Sequence, residues 1–172
     1  MFFISGKFWT SKIYIMEFTT NYLAVFHPIF PIKAFLILSL NLTLTLIGLL
    51  HFYWAIGGKW GLNKSVPSKE DGTLLFVPTA FQSAFVGFGL LLMVVFIFLW
   101  ARESILPSWI FKYGFLILGG IFTLRAIGEF NYVGFFKKVK NTSFGKLDTM
   151  FYSPLCLIIS GIFFWIANSI QT

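Results

Sequence analysis

The chain has 172 residues, 58% of them apolar, 21% aromatic and only 11% charged, more apolar surface than a soluble domain of this size can hide from water. Its 13 basic and 6 acidic side chains give a formal charge of +7, yet the bases stand between apolar runs rather than along a stripe. That excludes a nucleic-acid surface and points to anionic lipid headgroups. A single cysteine, Cys156, excludes an intramolecular disulfide and CxxC redox chemistry.

Residues 1–32 read as an interfacial or extended lead-in to a helical domain over 33–170. Met1 to Ile15 is too short to span, is interrupted by Lys7 and Lys12, and lacks the organised apolar run of a signal peptide. Met16 offers an alternative start. Glu17 to Pro31, with Phe26-His27-Pro28, suits the membrane interface, where His27 is solvated.

Four stretches then meet the length of about 20 apolar residues that a bilayer requires. The first runs from Lys33 to Gly57. The second opens at Val77-Pro78, proline suiting a first helical turn, and ends at Trp100-Ala101. The third spans Ser108 to Phe130, with Arg125 and Glu129 in its last turns. The fourth covers Leu147 to Ser169, and Pro154 is expected to bend its first two turns and expose the Met150 carbonyl. Short connections force antiparallel neighbours, so the chain reads as all-α, an integral membrane up-down bundle of four transmembrane helices.

Lysines set the expected orientation. The loops 57–76 and 131–146 carry Lys59, Lys64, Lys69, Lys137, Lys138, Lys140 and Lys146, whereas Lys33, Arg102 and Lys112 flank the other side, joined by Lys7 and Lys12. The positive-inside bias places both loops in the cytoplasm.

Alternation of the spans gathers the polar residues at that lysine-rich face: His51 and Trp54 at the end of the first helix, Gln82 at the start of the second, Arg125 and Glu129 closing the third, Asp148 and Tyr152 opening the fourth. Charge near a bilayer is costly unless paired or solvated, so such a group marks a functional site. Asn41, Gly48, His51, Ala55 and Gly58 form one stripe of the first helix. Arg125 and Glu129 share a face at a spacing of four, as do Asp148 and Tyr152. Arg125 therefore has two carboxylate partners open to it, Asp148 and Glu129, or a ligand's carboxylate or phosphate. Ligand contacts are expected from Trp54, Gln82, Arg125 and Tyr152. If the site is catalytic, His51 with Glu129 or Asp148 is the acid-base group. The competing reading is an ion-pair clasp between helices, with Trp54, Trp60 and Tyr53 in an aromatic belt. No metal and no cofactor is expected: the chain has two histidines and neither an HxxxH nor an HExxH pattern, and the Gly57 to Gly61 run is not a nucleotide loop.

At these residues the sequence resembles the bacterial four-span membrane proteins catalogued as domain of unknown function 3995. The shared features are His51 through Gly58, Arg125-Ala126-Ile127-Gly128-Glu129-Phe130, and Phe144 through Asp148-Thr149 into Tyr152-Ser153-Pro154-Leu155-Cys156. The resemblance runs from about Ala34 to Ile166 and implies a small integral membrane protein without an assigned activity. Binding of an amphipathic or lipid-like small molecule in a polar pocket is the leading expectation. A structural or accessory subunit, fastened to a partner membrane protein or to further copies of itself, is the alternative. A membrane-embedded acid-base enzyme is the third.

Overall fold

A computed structural model describes residues 29–102 and 106–171. The remainder of the expected lead-in, His27 included, lies outside the described residues. Six helices are present there: α1 (Ile29–Ala55), α2 (Leu62–Ser65), α3 (Ala80–Ala101), α4 (Ser108–Ile127), α5 (Ser143–Leu147) and α6 (Ser153–Ser169), with one π turn, Asp148–Tyr152, joining α5 to α6. Four stretches are long and apolar enough to cross a membrane: Ile32–Ala55, Ala80–Ala101, Ser108–Ile127 and Ser143–Ser169. Two compact units divide the chain at Ser39 and Leu40, the first contributing the opening turns of α1. All packing described below lies within the second unit.

Helix boundaries follow local chemistry. α1 begins at Ile29, so Pro31, expected in the lead-in, sits in a first turn where its missing N–H has no partner to lose. At the other end Gly57 adopts φ 95° and the N–H groups of Gly57 and Gly58 donate to Trp54 O and Tyr53 O at 3.1 and 2.9 Å, a Schellman cap. Gly58 is therefore past the helix, not on its stripe. α3 starts two to three residues later than expected, because Thr79 and Gln82 form a reciprocal capping box and Pro78 precedes it.

α4 stops at Ile127, where Gly128 takes φ 80° and Phe130 φ 68°. Glu129 thus lies outside the helix and does not share a face with Arg125. Pro154 is accommodated by the π turn: its i→i+5 pattern, with Ser153 N–H donating to Asp148 O, widens the chain just where proline removes an N–H. Asp148, at the head of this turn, is fully buried.

Side-chain pairings run low-to-high number, as antiparallel neighbours do, between α1 and α3, where Gly48 faces Leu91 and Gly87 faces Phe52, and between α4 and α6, where Phe115 meets Phe163 and Thr123 meets Ser160. α1 meets α3 at Gly48 and Gly87, where a side chain on Gly87 would press on the Gly48 carbonyl and the Phe52 ring. Phe96 and Trp100 of α3 pack on Phe111 and Phe115 of α4, with centroids 5.1 to 5.4 Å apart. Phe115 in turn stacks on Phe163 of α6, and the hydroxyls of Thr123 and Ser160 share the Gly119 carbonyl, each at 2.9 Å. Small residues let the backbones approach and hydroxyls join them, as expected where lipid removes any hydrophobic drive between helices. Gly87→Val should accordingly force α1 from α3 and cost about 1–3 kcal/mol of stability, read as a lower unfolding midpoint in mild detergent; an unchanged midpoint would mean that the crossing tolerates a wider separation.

Candidate functional site

The segment between α1 and α3 folds over the end of these helices as an ordered cover. Gly61, at φ 74°, launches α2; Val66 is buried; and residues 67–75 form a tight reversal with a Ser68–Leu74 bridge. Asp71 steadies the tip by accepting from the Thr73 hydroxyl and N–H at 2.6 and 2.9 Å, which hold its carboxyl below the usual carboxylate value. Trp54 Nε1 donates to Trp60 O at 2.9 Å and ties the cover to α1.

Beneath the cover is a cavity of about 210 Å³ whose lining includes His51, Trp54, Val66, Phe76, Gln82 and Ser83. Its surface is mostly apolar, and His51 stands edge-on to Trp54 with ring centroids 5.0 Å apart. His51 Nδ1 lies 2.8 Å from Ile47 O; a carbonyl only accepts, so Nδ1 carries the proton. Gln82 uses its side-chain oxygen to accept from Thr79 N–H at 2.9 Å.

A second polar cluster is built from α4, the 128–142 loop and the π turn. Asp148 Oδ1 accepts from Arg125 Nη2 at 3.0 Å, while Oδ2 accepts from Gly134 N–H at 2.7 Å and Lys137 Nζ at 3.0 Å. Lys137 and Asp148 are both fully buried. The ammonium also donates to Gly134 O at 2.9 Å and Thr149 Oγ1 at 2.6 Å, so its three N–H groups have three acceptors and no lone pair remains for base chemistry. The Thr149 hydroxyl in turn donates a hydrogen bond to Gly145 O at 3.0 Å. The loop reaches this position because Gly128 and Gly134, both at positive φ, let two backbone segments touch: a side chain on either would strike the other's neighbouring carbonyl.

A protein-family profile described as "Protein of unknown function (DUF3995)" matches residues 44–163. The chain belongs to this family. No curated protein and no solved structure matches it. The DUF3995 match contains both the cavity and the charged cluster, and every site residue inferred from sequence lies within it.

In this DUF3995 chain the expected single pocket is divided. His51, Trp54 and Gln82 line the cavity; Arg125 and Asp148 belong to the ion-pair cluster. Glu129 accepts instead from Tyr132 N–H at 3.0 Å, a local loop bond, so the Arg125 to Glu129 pairing left open by spacing is not made. Tyr152 directs its hydroxyl to Lys64 O at 3.3 Å and joins the two lysine-rich segments, which also meet through α2 and α5. The partners of His51 are Ile47 and Trp54, those of Asp148 are Arg125, Gly134 and Lys137, and the two sets share no residue. Lys137 was not singled out by sequence; a lysine three residues after a glycine in a basic loop carries no periodic signal. Among the described residues no three His, Cys, Asp or Glu side chains converge on a metal-sized site.

Proposed function

We propose that this protein binds a small amphipathic molecule in the covered cavity at its lysine-rich face, which we infer to be the cytoplasmic side of a bacterial inner membrane. The observation that carries the reading is the cavity itself: an apolar hollow at the helix ends, edged by the imidazole of His51 and the carboxamide of Gln82. Concave, largely apolar sites with a few placed polar groups are where proteins take small ligands. The ligand's apolar body rests on Trp54, Val66 and Phe76, and its polar end meets His51 and Gln82 rather than Arg125. Substituting Ser83, a buried lining residue, with Phe fills the hollow. Mass spectrometry of molecules retained in mild detergent should then show a species lost roughly tenfold from the variant, equivalent to about 1.4 kcal/mol; identical profiles in a folded Ser83→Phe protein would remove the proposal.

The charged cluster favours a second, structural role for the remaining residues. Each Asp148 oxygen and each Lys137 proton is engaged within the protein. This arrangement fastens the 128–142 loop to the helices, the clasp of an accessory subunit as well as of a binding protein. Arg125→Gln should lower stability and leave ligand retention in the cavity intact.

A further inference from the structure

We infer that the group recognised in the cavity is a hydroxyl on a single ring, a phenol-class head group, because two of the polar side chains that line it beside Ser65 and Ser83, those of His51 and Gln82, are each half-committed and together demand a donor and an acceptor. The inference rests on the cavity reading above and specifies its ligand. His51 Nδ1 is tied to Ile47 O at 2.8 Å. With the Nδ1 proton placed there, Nε2 is the nitrogen that can accept in the neutral tautomer. Gln82 has the opposite commitment: its oxygen accepts from Thr79 N–H, leaving the amide NH₂ as donor. No protein partner for either of these nitrogens is present among the described residues. Trp54 is removed from the recognition set, since its only donor is held by Trp60 O.

A hydroxyl is the smallest group that donates to one nitrogen and accepts from the other, whereas a carbonyl, an ether or a carboxylate would leave Nε2 unmatched. Size limits the body of the ligand. A cavity of about 210 Å³ exceeds the roughly 150 Å³ that holds benzene and falls below the roughly 300–1,000 Å³ of drug-sized sites. One substituted ring fits, flanked by Trp54 and Phe76.

The test uses the full chain in mild detergent with ¹⁵N-labelled histidine. The sequence has two histidines, and His27→Gln leaves the His51 signals alone. The probes are 4-methylphenol, 4-methylanisole and toluene, which keep the ring while removing first the donor and then all polarity. Expected are an upfield movement of the His51 Nε2 resonance with 4-methylphenol only, and binding about tenfold tighter than 4-methylanisole, the scale of the one hydrogen bond that the donor adds. In His51→Phe that preference should fall to about unity with toluene binding kept. Equal affinities for 4-methylphenol and its methyl ether, or an unmoved Nε2 resonance, would overturn the hydroxyl assignment while leaving the cavity reading standing. Failure of all three probes to bind would overturn both.

Discussion

Asp148→Ala should be among the most damaging single changes in this protein, lowering stability by about 3–5 kcal/mol, because it strands a buried cation. Lys137 has no exposed side-chain surface, and without the carboxylate its ammonium keeps only Gly134 O and Thr149 Oγ1. Arg125, about a third exposed, can turn toward water; Lys137 cannot. Lys137→Met should cost less, since Asp148 would retain Arg125 and the Gly134 N–H. The double variant Lys137→Met with Asp148→Asn should recover part of the Asp148→Ala loss, as neutral replacements for buried pairs commonly do. Denaturant or thermal unfolding in one detergent gives all three values, and a double-mutant cycle supplies the coupling. Equal losses from Asp148→Ala and Lys137→Met would contradict this ordering.

The ordering explains why the helices were legible from sequence while the site was legible only in part. Length and hydropathy identify spans directly, since nothing but a helix satisfies its backbone in lipid without a partner. Thr79-x-x-Gln82 and the Gly57-Gly58 pair also state their caps in residue types. Periodicity failed at Glu129 because Gly128 turns left-handed one residue earlier, and a spacing of four has meaning only inside a helix. Spacing also left the partners of Asp148 and Tyr152 open: the buried carboxylate meets Arg125, Gly134 and Lys137, while the Tyr152 hydroxyl reaches Lys64 O. Alternation of the spans gathered these polar residues at one end of the helices, but it could not tell that His51, Trp54 and Gln82 would line a cavity while Arg125 and Asp148 joined an ion-pair cluster. That division depends on Lys137, whose role comes from a loop path set by two glycines.

Gly134 is, with Gly128, one of the two points where that path is tightly constrained, and Gly134→Ala is the second large effect expected. Its φ of 88° lies in the left-handed region, where a Cβ costs about 1–2 kcal/mol. A side chain there would also overlap the Ile127 carbonyl, a backbone atom that no rotamer change can move aside. Relieving the overlap displaces the Gly134 N–H from its 2.7 Å bond to Asp148, and a hydrogen bond to a charged group contributes about 1.5–3 kcal/mol. The combined loss should be about 2.5–5 kcal/mol. Gly72→Ala separates the terms, for Gly72 has a similar φ of 83° with open space around it and should show the conformational cost alone. Hydrogen exchange should locate the difference, accelerating amides of the loop between Gly128 and Thr142 in Gly134→Ala and only the tip near Asp71 in Gly72→Ala. If the two alanine variants lost the same stability, the contact between the Gly134 and Ile127 backbones would carry no energy, and the loop would be held by Lys137 and Asp148 alone.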